Sequence, residues 1–162
     1  MNESIIDFQR RTRLGVIEAI WGEHKTTEQI SEILKKYKRE SETALVTRLT
    51  KEKGQKLLVE FPSAEFHEIS GCLTLGGFKE CTSSEEEVII LTGGTSDVGV
   101  ASEAEIALNL HGINTKLLID VGVAGLHRLL DRLEEIKLAK VVIACAGMEG
   151  CLLYTSPSPR DS

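Results

Sequence analysis

Three stretches of this chain join an apolar run to glycines and then to small polar or charged side chains. The first is Glu87-Val88-Ile89-Ile90-Leu91-Thr92-Gly93-Gly94-Thr95-Ser96-Asp97. Val88 to Leu91 has no polar alternation, which suits a strand covered on both faces. Gly93 and Gly94 let the backbone approach a ligand closely. Thr95, Ser96 and Asp97 can cap the next helix, whose free N–H groups and dipole favour an anion. The chemistry on offer is the cradling of a sugar phosphate. Capping a helix after a tight turn needs the same residue types, so the rest of the chain must separate the two readings.

Two further junctions repeat the pattern. Lys116-Leu117-Leu118-Ile119-Asp120-Val121-Gly122-Val123-Ala124-Gly125-Leu126-His127-Arg128 runs from an apolar strand through spaced glycines towards a helix, and Lys140-Val141-Val142-Ile143-Ala144-Cys145-Ala146-Gly147-Met148-Glu149-Gly150 repeats the strand and turn. Amphipathic stretches lie between them: Ala101 to Leu110, with Ile106, Leu108 and Leu110, and Leu126 to Ile136, with Leu126, Leu129, Leu130, Leu133 and Ile136 on one face. The order is β-α-β-α-β. Right-handed crossovers put every strand's carboxyl end on one sheet edge, where ligands bind at the switch point. Thr95-Ser96-Asp97, Asp120 with His127-Arg128, and Met148-Glu149 are therefore expected to converge. Each alone is commonplace, since a single histidine is usually structural and a single glutamate usually solvated. Together they supply anion donors, an acid or base and a carboxylate, a set suited to a phosphorylated ligand.

On these residues the chain resembles a known family. Thr92-Gly93-Gly94-Thr95-Ser96-Asp97, Asp120-Val121-Gly122-Val123-Ala124-Gly125-Leu126-His127-Arg128 and Ala146-Gly147-Met148-Glu149-Gly150 resemble, in order, the loops of LarB proteins of nickel-pincer cofactor biosynthesis. The LarB main domain is similar in turn to PurE, the aminoimidazole ribonucleotide carboxylase. The Asp-Val-Gly-Val-Ala-Gly run before His-Arg and the Gly-Met-Glu-Gly turn favour LarB over PurE. Upstream, Asp7, Arg10, Arg13, Gly15 and Glu18, then Trp21-Gly22-Glu23-His24-Lys25-Thr26, resemble the segment that precedes that domain.

The resemblance implies a reaction: carboxylation of the pyridinium ring of nicotinic acid adenine dinucleotide by carbon dioxide or bicarbonate, with phosphoanhydride hydrolysis that releases AMP. It implies that Gly93, Gly94, Thr95, Ser96, Asp97, Asp120 and Arg128 hold phosphate and ribose. His127, Glu149 and Asp97 are the catalytic candidates, and an anionic Glu149 suits a pyridinium cation. No tightly bound cofactor is implied, Mg2+ is left open, and the complete protein is expected to be a homo-oligomer. Two alternatives stand beside this reading: a PurE-type carboxylase of purine biosynthesis, and a nucleotide-binding module without turnover.

After Gly150 the chain departs from the pattern. Cys151-Leu152-Leu153-Tyr154-Thr155-Ser156-Pro157-Ser158-Pro159-Arg160-Asp161-Ser162 resembles translated adapter sequence, and its Ser-Pro repeats resist regular structure. In the family this region holds further strands and a catalytic cysteine. Cys151 is therefore not taken as that nucleophile, and Cys145, within a strand, reads as packing. A parallel sheet stopped at this point leaves Val141-Val142-Ile143 as an unpaired apolar edge. Poor solubility and negligible turnover are expected of the chain as written.

The remaining features set the frame. At 162 residues, 41% hydrophobic and 27% charged, the chain suits a soluble protein with one core and a small appendage. A net charge of -6 argues against a broad nucleic-acid-binding face. Arg10, Arg11 and Arg13, and Lys35, Lys36, Lys38 and Arg39, form local basic runs that solvated helix faces explain, although Arg10 or Arg13 could also meet an adenylate or a neighbouring subunit. Cys72, Cys81, Cys145 and Cys151 have no CxxC spacing and the four histidines form no array, so no metal site is expected. With no signal peptide and no long apolar run, the default location is the cytoplasm, with no membrane partner.

The fold expected is α/β: a three-layer parallel sheet of flavodoxin-like, PurE type, incomplete over 88–150, preceded by a small α+β domain over 1–75. A linker is placed at 76–87, and a non-native or disordered tail at 151–162. Within the first domain, Leu14, Ile17, Ile20 and Trp21 suggest one amphipathic helix, and Thr26-Thr27-Glu28-Gln29 opens a second in capping-box style. Thr43 to Arg48 reads as a strand, Glu52 to Phe61 as a short helix, and Phe66 to Ile69 as another strand. Trp21 and Tyr37 are expected as core anchors.

Overall fold

The computed structural model describes residues 6–77, 88–147 and Leu152. The chain divides into two units, Met1–Gly77 and Phe78–Ser162. Most of the expected linker, together with Met148, Glu149, Gly150, Cys81, Cys151 and the rest of the tail, lies outside the described residues.

In the first unit, helix α1 (Arg10–Leu14) leads to strand β1 (Ala19–Trp21), helix α2 (Thr27–Arg39), strand β2 (Ala44–Thr47), helix α3 (Lys51–Glu60) and strands β3 (Ala64–His67) and β4 (Cys72–Leu75). The sheet order is β1-β2-β4-β3, with β1 parallel to β2 and the other pairs antiparallel. The capping box at α2 is formed: Gln29 N–H donates to Thr26 Oγ1 at 3.3 Å, and Thr26 N–H donates to Gln29 Oε1 at 3.0 Å. From α2, Ile30, Ile33, Leu34 and Tyr37 pack with Leu57, Phe61, Val46 and Leu73 in one core.

Three local expectations are corrected. Leu14 to Trp21 is no single helix, because Gly15 takes φ 76 and ends α1, after which Ile20 pairs with Val46 in the β1–β2 ladder. Trp21 is no core anchor: it is 57% exposed, while Tyr37 is buried. The strand expected at Phe66 to Ile69 is shifted to Ala64–His67, with Ile69 exposed, and its partner β4 has four consecutive buried residues and no alternation to announce it. The early family-like residues hold the entering chain. Arg13 pairs with Asp7, and Asp7 N–H donates to Glu18 Oε2 at 3.2 Å.

The second unit contains strand β5 (Val88–Thr92), helix α4 (Val98–Asn109), strand β6 (Thr115–Leu118), helices α5 (Leu126–Leu130) and α6 (Leu133–Leu138), and strand β7 (Val141–Cys145). The sheet is all parallel in the order β6-β5-β7. Every residue of β5 is buried. Its alternate side chains enter two different cores: Ile89 and Leu91 join Leu129 and Ile136 of α5 and α6, whereas Val88 and Ile90 join Ala101 of α4. Helices therefore cover both faces, which is the three-layer flavodoxin-like arrangement expected from the continuous apolar run.

The expected helix from Leu126 to Ile136 is broken into α5 and α6 at Asp131-Arg132, so Leu129 and Ile136 are buried while Leu126 and Leu130 face solvent. Leu152, expected in a tail outside the fold, is fully buried in the core with Ile89, Leu91 and Leu129. Among the described residues, the far edge of β7 has no strand partner, and Val141 there is 50% exposed. No helix among the described residues is long and apolar enough to cross a membrane.

Candidate active site

The β6-β5-β7 order places the switch point between the carboxyl ends of β5 and β7. Asp97 occupies that position. It closes the 3-10 turn Thr95–Asp97 ahead of α4, and its Oδ2 accepts from Gly94 N–H at 2.9 Å. A Cβ built on Gly93 would stand 3.2 Å from Asp97 Oδ2 and 3.1 Å from Ala146 Cβ, and one on Gly147 would stand 3.6 Å from Asp97 Oδ1. The loops after β5 and β7 thus meet around one carboxylate, with glycines where side chains would crowd it.

The third loop is tied to the first through Thr92. This buried residue accepts from Asp120 N–H at 2.9 Å through its Oγ1 and from Val121 N–H at 3.0 Å through its carbonyl oxygen. Asp120 sits in the left-handed region at φ 60, a conformation that short polar side chains tolerate better than most and that cluster at functional loops. Its carboxylate pairs with Arg128, whose guanidinium lies across Gly125 where a Cβ would collide with it. Gly122 is more strictly constrained: a Cβ there would overlap the backbone carbonyl oxygen of Gly93 and stand 3.0 Å from its carbon. Gly122 is therefore required by close approach to backbone, Gly93 is tight against Ala146 and Asp97, and the contact at Gly125 is with the end of the Arg128 side chain, distinctions that their spacing in sequence did not disclose.

One part of the phosphate-cradle expectation changes. Gly93 N–H donates to Cys145 O at 2.9 Å and Gly94 N–H to Asp97, so both glycine donors are occupied within the protein. Thr95 and Ser96, both exposed at the head of the turn, are the groups this loop turns outward. His127 is exposed on α5. It neighbours Arg128 in sequence, but successive helical residues diverge by about 100° around the axis, so the pair does not share a face. Glu149 lies outside the described residues, two positions past Gly147.

Thr92 and Gly122 are the positioning residues that the sequence reading did not single out. A threonine ending a wholly apolar strand was the available signal, because a buried hydroxyl requires a partner. Cys145, partly buried in β7, has its thiol pushed up, first by burial and then by the negative charge of Asp97. A thiol held protonated is a poor nucleophile, in keeping with a packing role. Among the described residues, no group of three or more His, Cys, Asp or Glu side chains is gathered in a way that could hold a metal ion.

A doubly wound α/β unit with strand-tip loops interlocked around an Asp is the class that this geometry defines. Residues 1–77 match the LarB/PurE-like N-terminal domain, which supports a place for the chain in the LarB/PurE-like family. It is also 31% identical over 156 residues to an uncharacterized protein of Methanocaldococcus jannaschii, an alignment covering 91% of this chain and 60% of the relative. The chain therefore spans about 60% of the length of the curated relative it matches.

Proposed function

We propose that this sequence belongs to a LarB-type enzyme that carboxylates the pyridinium ring of nicotinic acid adenine dinucleotide and hydrolyses its phosphoanhydride with release of AMP. The observation that carries the reading is the meeting of all three strand-tip loops, with Asp97 between Gly93 and Gly147 and with Thr92 bound to the loop of Asp120. In this reading Thr95, Ser96 and Arg128 receive the phosphates, and Asp97 and Asp120 the ribose hydroxyls. A carboxylate accepts from a hydroxyl and repels a phosphate, so the division follows from charge.

Carboxylation exchanges a ring C–H for a C–C bond, and a group at the site must take the proton. His127 and Glu149 are the residues assigned to proton transfer or ring orientation. The Asp120–Arg128 pair holds the cation in place before substrate arrives, and a phosphate competes with Asp120 for the same guanidinium.

The test uses a chain extended to the length of the Methanocaldococcus jannaschii relative, incubated with nicotinic acid adenine dinucleotide and bicarbonate. Release of AMP together with a product heavier by carboxylation supports the proposal. AMP release that ignores bicarbonate overturns the carboxylation, and no AMP at all from a folded protein that binds the dinucleotide overturns the proposal and leaves the binding-module reading. Rescue of a purine auxotroph would establish the PurE-type reaction instead.

A further inference from the structure

The first unit holds an aromatic side chain on its outside, on a loop restrained by backbone and side-chain hydrogen bonds. Trp21 ends β1 and is 57% exposed. Its Nε1–H donates to Glu23 Oε2 at 3.0 Å, and its ring is tilted at 50° to that of His24 with centroids 5.5 Å apart.

The loop that carries these three residues is fastened at three places. Gly22 N–H donates to Thr47 O at 2.9 Å, and a Cβ on Gly22 would stand 2.7 Å from Leu49 Cδ2, so the chain passes flush against β2. Lys53 of α3 sends its ammonium under the loop and donates to the carbonyl oxygens of Gly22, Glu23 and Lys25 at 3.1, 2.9 and 2.8 Å. The capping box of Thr26 and Gln29 then fixes the exit into α2. A lysine that gives all three donors to one loop sets that loop's shape before any ligand arrives.

We propose that Trp21, Glu23 and His24 form a binding site for a planar, cationic heteroaromatic ring. The indole face carries the negative lobe of its quadrupole, and the charged group bound at its edge is the Glu23 carboxylate, so the platform favours a cation over a neutral ring and disfavours an anion. The Lys53 charge is directed into three carbonyl oxygens beneath the loop. His24, inclined to the indole, makes the platform a corner that a flat ring fills better than a tetrahedral ammonium does. This site is built wholly within the first unit. It does not depend on the reading of the strand tips, and its test involves no turnover.

Trp21 is the sole tryptophan of the chain, so its fluorescence reports on this site alone. The chain is titrated with N-methylpyridinium, with 3-methylpyridine at pH 8 as the neutral ring of the same size, and with tetramethylammonium as the non-planar cation. Free N-acetyltryptophanamide supplies the collisional baseline. The expected result is saturable quenching by N-methylpyridinium, at least about fivefold weaker binding of the other two probes, and a loss of about threefold or more in Glu23→Gln, which removes the charge beside the indole. Saturable shifts of the Trp21 indole N–H in the NMR spectrum of the unaltered protein give the same reading if Glu23→Gln fails to fold. Linear quenching no steeper than that of the free amide, or equal binding of the neutral ring, overturns the proposal.

Discussion

Replacing Thr92 by Val removes one oxygen and keeps the shape of a buried β-branched side chain. That oxygen is the acceptor for Asp120 N–H, at 2.9 Å, and it is what holds Asp120 at φ 60. A donor left without its partner costs about 1–3 kcal/mol when buried. Asp120 is only half-buried, so water offsets part of the loss and about 1–2 kcal/mol is expected. For a domain of this size each kcal/mol lowers the melting temperature by about 4–8 °C. Urea denaturation measures the change, and amide hydrogen exchange locates it: Asp120 N–H should lose protection in Thr92→Val and keep it in Thr92→Ser, which retains the oxygen. A Thr92→Val protein as stable as the parent, with Asp120 exchange unchanged, would refute the claim that Thr92 fastens the Asp120 loop to the end of β5.

Further outcomes follow from single contacts. Gly122→Ala, whose Cβ would overlap the Gly93 carbonyl oxygen, should lose about 1–3 kcal/mol in urea melts, whereas Gly94→Ala, whose Cβ meets nothing nearer than 3.8 Å, should stay within about 0.5 kcal/mol. Tyr37 has its phenol pushed up to about 12 by burial and then by Glu18 and Glu42. The unfolded chain ionises this group near 10.0, so its contribution is intact below that pH and is lost as pH rises towards 12; Tyr37→Phe should flatten the alkaline limb of stability. Glu60 is held below the usual carboxylate range, first by the Ser31 hydroxyl and then by Lys35. Its contribution is present above the unfolded value near 4.5 and disappears as pH falls through the folded one, so Ser31→Ala should raise the Glu60 titration midpoint in NMR and shift acid unfolding upward.

The second unit was legible where physics repeats itself along the chain. An unbroken apolar run of β5, two glycines and a polar trio point to a buried parallel strand and a helix start, and the structure has both, although no side chain of the trio caps α4. The first unit was less so, because its strands are short and their residues serve two periods at once. Leu14, Ile17 and Ile20 fit helical spacing, yet the positive φ of Gly15 cuts the helix and the Ile20–Val46 pairing takes over. No local signal tells a glycine that ends a helix from one that sits within it. At the candidate site the sequence named Asp97, Asp120 and Arg128. It could not show that both glycine N–H groups are consumed within the protein, since Gly93 N–H finds Cys145 O more than fifty positions away. Tertiary hydrogen bonds of that range leave no periodic trace.

The same few bonds that shape the candidate site also decide how the sheet is assembled. Register in a strand with one buried face is fixed by its alternation, because a slip by one residue would turn the apolar set outward. β5 lacks that safeguard: Val88, Ile89, Ile90 and Leu91 are apolar on both faces, and a slip would merely exchange one buried set for another. What distinguishes the observed register is the carboxyl tip, where Thr92 O receives Val121 N–H, Thr92 Oγ1 receives Asp120 N–H, and Gly93 N–H reaches Cys145 O. These contacts tie β5 to the ends of both neighbours, and a shift by one residue would break all of them together. Register and site geometry are therefore specified by one set of polar groups. A protein that must hold its strand tips in register for structural reasons presents a preorganised loop cluster to a ligand without a separate device to build it.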